Sequence, residues 1–223
     1  MTVEKMCELH AKELIKKERE MFTIRSSVLM SVLLLLLFCS GCARYSRSVS
    51  TMYDPVSTAR GGSGVLYIVM PLSQQTQSGS VKWVIGAVKD EDENKIDEIF
   101  SAQSPGELIQ GALGQEMKRA GYTITSVTSP PADVTKMLVI TTPELVLDQI
   151  SSTGKLTASC RLRMPLEIWK NGHLVKKMEY NATYSNTTVT DRDLLARAVL
   201  GETLHSTMNK AIPELVSLLE SEK

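Results

Sequence analysis

The stretch "KLTASCRLRMPLEIWKNGHLVKKMEYNATY", Lys155 to Tyr184, decides the fold class. Leu156, Ala158, Cys160, Leu162, Met164, Leu166 and Ile168 alternate without a miss. Successive side chains of a strand point to opposite faces, so a period of two buries one face and leaves the other to solvent. Asn171-Gly172 then turns the chain back through Leu174, Lys176, Met178, Tyr180, Ala182 and Tyr184. A two-residue turn closing on Lys170 and His173 would set Met164 opposite Glu179, core against charge. A three-residue loop from Lys170 to Gly172, with Trp169 opposite His173, instead faces Met164 with Met178, Leu162 with Tyr180 and Cys160 with Ala182. It also sets Arg163 against Glu179. A one-residue slip moves every side chain to the wrong face, so the pattern favours the three-residue loop.

Upstream, Lys136 to Ile150 reads as one long strand whose phase slips at Pro143: Leu138 and Ile140 share one phase, Leu145 and Leu147 the other. Proline cannot donate to a ladder, which predicts a bulge there. Val65–Met70, Lys82–Val88 and Lys95–Phe100 read as further strands, the last two joined by Asp90–Asn94. Asp90, Asp92 and Asn94 mimic the opening ligands of a calcium loop. Lys95 stands where that loop needs glycine and Ser101 where it needs glutamate, so a solvated turn is expected.

"SPGELIQGALGQEMKRAGY", Ser104 to Tyr122, reads as a helix. Ser104 and Glu107 form a capping box, Pro105 suits the first turn and Gly121 the stop. Leu108, Ile109, Ala112, Leu113, Met117 and Ala120 make its apolar stripe. A second helix is expected from Asp191 to about Ser221, capped by Thr190. Its predicted stripe is Leu194, Ala198, Gly201, Leu204, Met208, Ala211, Leu215 and Leu218, with a kink at Pro213. Together these elements predict an α+β fold: a two-layer sandwich of a mostly antiparallel sheet with two helices on one face.

Ahead of this domain, Val28–Phe38 is an apolar run of 11 residues broken only by Ser31. A membrane-spanning helix needs about 20. The run suits the apolar region of a signal peptide, with Arg25 supplying the positive region from Met21 onward. It closes on Cys39-Ser40-Gly41-Cys42, which resembles a bacterial lipobox, although Cys39 occupies the position where leucine is usual. The resemblance implies cleavage before Cys42 and a diacylglycerol on its thiol. Residues 1–20 carry both charge signs, and Lys16–Glu20 require purine-rich codons like those of a ribosome-binding site. Translation is therefore expected to start at Met21. The expected organisation is a leader outside the translated protein (1–20), a signal peptide (21–41), a lipidated Cys42 with a flexible tether (42–64), and a single α+β domain (65–223). The polar, glycine-ending tether shows no hydrophobic period.

Of the 25 Lys/Arg and 25 Asp/Glu, six and five fall within residues 1–41. That leaves 19 and 20, a balance that argues against nucleic acid as a partner. Cys160 is then the one thiol left unmodified, and it falls on the apolar strand face. The two histidines after Cys42, His173 and His205, have no nucleophile suggested beside them. The expectation is no enzyme, no cofactor, no metal site and no small-molecule substrate.

The order of elements is similar to that of the YajG-like bacterial lipoproteins. The similarity rests on the lipobox at Cys42, the strand near Val65 and the strings "LIQGALGQEMKRAGY" and "MLVITTPELVLD". It continues through the Asn171-Gly172 hairpin, "YNATYS" and the terminal helix. It implies a membrane lipoprotein with a small α/β domain. The architecture also resembles lipoproteins that assist lipopolysaccharide assembly or lipid-transporting ABC systems. The expected role is an envelope binding or assembly module with a protein partner, attached to membrane lipid through acylated Cys42. The alternatives are a peptidoglycan or glycan binder and a lipid-transport auxiliary. Ala43, where an inner-membrane lipoprotein of enteric bacteria would carry Asp, points to the outer membrane facing the periplasm. The solvent face of the hairpin carries Thr157, Ser159, Arg161, Arg163, Glu167 and Trp169, then Val175, Lys177, Glu179 and Thr183. Interfaces favour Trp and Arg as anchors, which makes Arg161 and Trp169 the candidate interaction residues.

Overall fold

The computed structural model describes residues 47–50, 52–70, 82–131, 134–189 and 191–221. The leader, the signal run, the lipobox with Cys42 and the Thr190 cap lie outside them. Among the described residues, nine strands and two helices follow in the order β1 (Arg47–Ser48), β2 (Val65–Val69), β3 (Trp83–Lys89), β4 (Lys95–Ser101), α1 (Pro105–Ala120), β5 (Thr123–Val127), β6 (Lys136–Ile140), β7 (Glu144–Ser152), β8 (Lys155–Lys170), β9 (His173–Thr188) and α2 (Arg192–Glu220).

The long strand β8 organises the sheet. Its seven alternating residues, Leu156 to Ile168, are all buried. β9 runs along one edge of β8 for its whole length. The other edge is shared end to end by β6, which pairs Ile140 with Leu166, and β7, which pairs Glu144 with Arg163. Three residues, Thr141 to Pro143, stand opposite two, Met164 and Pro165, so the β6–β7 line carries one extra residue where the phase slip predicted a bulge. The Thr141 N–H still donates to the Pro165 carbonyl, at 3.2 Å. β2 lies parallel to β6 and β3 parallel to β7, with β5 and β4 outside them and β1 on the β4 edge. Bulges bend a strand and increase its twist, and the sheet curls into a half-barrel rather than the flat layer expected of a two-layer sandwich. Four of its eight strand pairings are parallel, but the antiparallel ladders are the longer ones, β7–β8 and β8–β9 above all, so the sheet is mixed and mostly antiparallel by paired length.

The hairpin register departs from expectation. Lys170 and His173 are the closing pair, across a two-residue turn with Asn171 at φ 49° and Gly172 at φ 77°. Both angles are positive, the geometry that matches strand twist and favours Asn-Gly. A register shift between Ile168 and Trp169 inserts Val175 as an extra residue, so Met164 faces Tyr180, Leu162 faces Ala182 and Cys160 faces Tyr184. The bulge restores the phase that the two-residue turn alone would have broken. Arg163 consequently faces Asn181, yet it still reaches Glu179 diagonally at 2.9 Å.

Both helices pack on the same side of the sheet and share one core with it. In α1 the capping box is formed: Ser104 Oγ accepts from the Glu107 N–H at 3.0 Å, and Glu107 accepts from the Ser104 N–H at 2.8 Å. Its six expected stripe residues are buried. In α2 the cap is Asp191, whose carboxylate accepts from the N–H groups of Asp193 and Leu194. The buried face of α2 is rotated from expectation at its start. Leu195, Ala196, Val199 and Leu200 are buried, whereas Leu194 and Ala198 are exposed. Two buried threonines, Thr203 and Thr207, explain part of the misreading, since each satisfies its hydroxyl on the carbonyl four residues back. Pro213 sits on the exposed side of a helix that runs through it.

The expected flexible tether is not one over its described residues. β1 pairs with β4, Val49 and Tyr53 are buried in the main core, and Ser57 is buried. Among the described residues, the packed chain therefore reaches back to β1.

Candidate functional site

The expected interaction face is the convex side of β8 and β9. On it, charges are mostly paired. Arg163 bridges Glu144 of β7 at 3.1 Å and Glu179 of β9 at 2.9 Å. Hydrogen bonds from Arg163 and Asn181 hold the Glu179 carboxyl below its usual range. Lys177 pairs with Glu167 at 2.7 Å and lowers that carboxyl too, while the Trp169 indole donates to the same group at 3.1 Å. Arg161, between Val146 and Thr183 in the ladder, has no hydrogen-bond or ion-pair partner among the described residues. Lys155, exposed in the same phase at the start of β8, is likewise unpaired among the described residues, so Arg161 is one of two open cations of this strand face.

The two candidate residues do not form one site. Eight residues of β8 separate Arg161 from Trp169, about 26 Å at roughly 3.3 Å per residue. Trp169 lies opposite Met137 and packs on a second apolar cluster of Val69, Val134 and Met137, joined by Tyr67, Val127 and Val139. The convex face is thus polar toward the start of β8 and partly apolar toward its end. Trp83 packs against the main core instead. The two tryptophans that a glycan groove would need lie in different clusters.

Neither histidine meets a nucleophile. His173 is exposed at the hairpin tip. His205 stacks edge-on against Tyr53, with centroids 5.1 Å apart, and its Nδ1 lies 3.8 Å from Glu202. Cys160 is fully buried, and burial pushes its thiol up to about 11. Asp90 shapes its own turn, accepting from Asp92 N–H, Asn94 N–H and the Asn94 amide. Two clefts flank α1: one of about 550 Å³ between α1 and β5, one of about 440 Å³ between α1, α2 and Met52–Asp54. Gln103, Gly111, Gln115 and the carboxylate of Glu107 line both, with Lys118 added in the first and Asp54 in the second.

The most constrained polar group is one that sequence reasoning passed over. Glu116 is 1% exposed. Its Oε1 accepts from the Tyr53 hydroxyl and the Val56 N–H, both at 2.6 Å, and the Ser57 N–H lies 3.2 Å from both oxygens. Burial, with Glu116 next, raises the Tyr53 hydroxyl well above its usual range, so it stays a donor. Arg119 adds a bond to the Pro55 carbonyl. These contacts clamp residues 53–57 onto α1. The available signal was positional: Glu116 falls between Leu113 and Met117, inside the apolar stripe. A second clamp follows at Glu220, which accepts from Lys136 at 2.6 Å and from the N–H and hydroxyl of Ser63. Burial pushes the Glu220 carboxyl up, but bonds from Lys136 and Ser63 outweigh it and bring it down to about 2. Both clamps hold the chain that leads back toward Cys42.

No family model matches the chain, and no curated protein matches it. Among solved structures it is similar to a Xanthomonas campestris protein of family DUF330, at 8% identity and TM-score 0.47, over 78% of this chain and 95% of that one. It is also similar to a hemagglutinin homolog from Helicobacter pylori described as neuraminyllactose-binding, at 11% identity and TM-score 0.39, over 74% and 92%. A third is the rare lipoprotein B of Shewanella oneidensis, at 13% identity and TM-score 0.26, over 60% and 90%. None of these likenesses assigns this chain a family or a role.

Proposed function

We propose that the protein is an envelope lipoprotein anchored through Cys42, whose domain is a non-catalytic binding module facing the periplasm from the outer membrane. The observation that carries this reading is the apolar run closing on Cys39-Ser40-Gly41-Cys42, a few residues ahead of β1 in the chain. A signal peptide cut there leaves a lipidated cysteine directly before a folded domain. Several acyl chains together anchor stably where a single one binds only marginally. The partner is a protein contacting the convex face of β8 and β9, with Arg161 an unpaired cation and Trp169 the half-buried aromatic. Because these two are far apart, they mark two ends of one surface or two separate contacts.

Metabolic labelling with an alkyne fatty acid tests the anchor: wild type takes up label, and Cys42→Ala does not. Equal labelling of the two sinks the proposal. Fractionation tests sorting, with Ala43→Asp expected to shift the protein to the inner membrane. Photo-crosslinkers placed separately at Arg161 and Trp169 test the working face. Crosslinks confined to the exposed side of α1 would refute it.

A further inference from the structure

Resting on the lipid-anchor reading, we infer that the domain sits on the bilayer by one end of its sheet, through Ile96, Val189 and Leu194, on a surface of zwitterionic headgroups. Arg47 pairs with Ile99, and β1 runs parallel to β4. The chain therefore enters from the end of the sheet where β4 begins. Four residues lie between Cys42 and Arg47, and the five steps from one to the other span at most about 18 Å when fully extended. With residues 47–50 and 52–64 packed into the fold, no slack remains to carry the domain away from the surface.

The ladders identify what else lies at that end. Lys95, which begins β4, pairs with Lys89, the last residue of β3. Lys89 in turn pairs with Ile150 near the end of β7, and Ser152 pairs with Lys155 at the start of β8. Leu156 pairs with Thr188, the last residue of β9. The β3–β4 turn, the β7–β8 turn and the β9–α2 connection are thus neighbours, as the bond from the Thr153 N–H to Glu91 also shows. Arg192 reaches Ser151 and places the first turn of α2 there as well.

Among the described residues, this end exposes three apolar side chains: Val189 (76% exposed), Leu194 (61%) and Ile96 (52%). Leu194 is the residue that the apolar pattern of α2 assigned to the core. Asp90, Glu91, Asp92, Glu93, Asp191 and Asp193 outnumber Lys89, Lys95, Lys155 and Arg192 at this end, and the net negative charge disfavours anionic headgroups and selects the zwitterionic surface. The opposite end carries Leu174 and Val175, exposed at the β8–β9 turn, and is a competing contact. The direction of chain entry and the short connection favour the first. The hairpin end then projects away from the membrane.

The test uses the lipidated full-length protein in phosphatidylcholine vesicles, with an environment-sensitive dye on Val189→Cys, on Leu194→Cys or on Asn171→Cys. Cys42 is acylated and Cys160 is buried, so the dye reads the introduced thiol. Dyes at 189 and 194 are expected to shift to shorter wavelength and lose fluorescence to quencher-bearing lipids, while the dye at 171 reads as in water. Equal readings at all three sites, or quenching at 171 alone, overturn the inference while leaving the anchor intact. A mass lacking acyl chains on Cys42 overturns the anchor reading and this inference with it.

Discussion

Replacing Glu116 by alanine should release the amino-terminal segment from the domain. The side chain accepts from one hydroxyl and two backbone N–H groups in a site closed to water. A hydrogen bond to a charged group contributes about 1.5–3 kcal/mol, and each buried donor left unpaired costs about 1–3 kcal/mol. With Tyr53, Val56 and Ser57 all stranded, the sum exceeds what holding the segment in place can return. The segment should therefore undock instead of staying with three orphaned donors, and the loss is capped at the energy of its docking. Val49 and Tyr53, both buried, would then be exposed, at about 1.5–3 kcal/mol per large apolar side chain. The expected loss is about 3–5 kcal/mol in urea unfolding, with a lower slope because less surface remains to expose. Hydrogen exchange should lose protection at Val56 and Ser57 while β8 keeps its own. Glu116→Gln preserves one carbonyl acceptor for Tyr53 and Val56 but turns an amide donor toward the Ser57 N–H. It should lie between wild type and alanine. Full protection at residues 56 and 57 in the alanine variant, with a loss below about 1 kcal/mol, would refute the clamp.

Gly86→Ala should abolish folding or reduce stability by more than about 3 kcal/mol. A Cβ at Gly86 would stand 1.6 Å from the Leu147 carbonyl oxygen, at a register shift in β3; a near-normal melting temperature would contradict the close approach. Stability should also fall in acid through Glu220. Its folded carboxyl titrates near 2, below an ordinary value of 4.5, so the stabilisation is complete above about pH 4.5 and is lost as pH falls toward 2. Lys136→Met should flatten this part of the pH profile in thermal melts, and an unchanged profile would show that the ion pair contributes nothing.

The sequence by itself determined each element whose signal is local and periodic. The alternation from Leu156 to Ile168 became the buried face of β8, the capping box set the start of α1, and the phase slip at Pro143 marked the single extra residue between β6 and β7. The α+β class and both helices on one side of the sheet followed from these. Where a local choice depended on a distant one, sequence reasoning failed in definable ways. The Asn-Gly turn was rejected because it broke the phase of the hairpin, and Val175 restores that phase with a bulge that no pattern of polar residues announced. The start of α2 was misread because Thr203 and Thr207 can be buried once their hydroxyls bond back along the helix. Parallel pairing of β2 with β6 and of β3 with β7 joins segments far apart in the chain, and nothing in a strand's own period specifies its neighbour. The amino-terminal segment has no hydrophobic period, so it read as a tether. Its docking depends on a carboxylate some 60 residues away, and only the folded chain brings Glu116 to the three donors that need it.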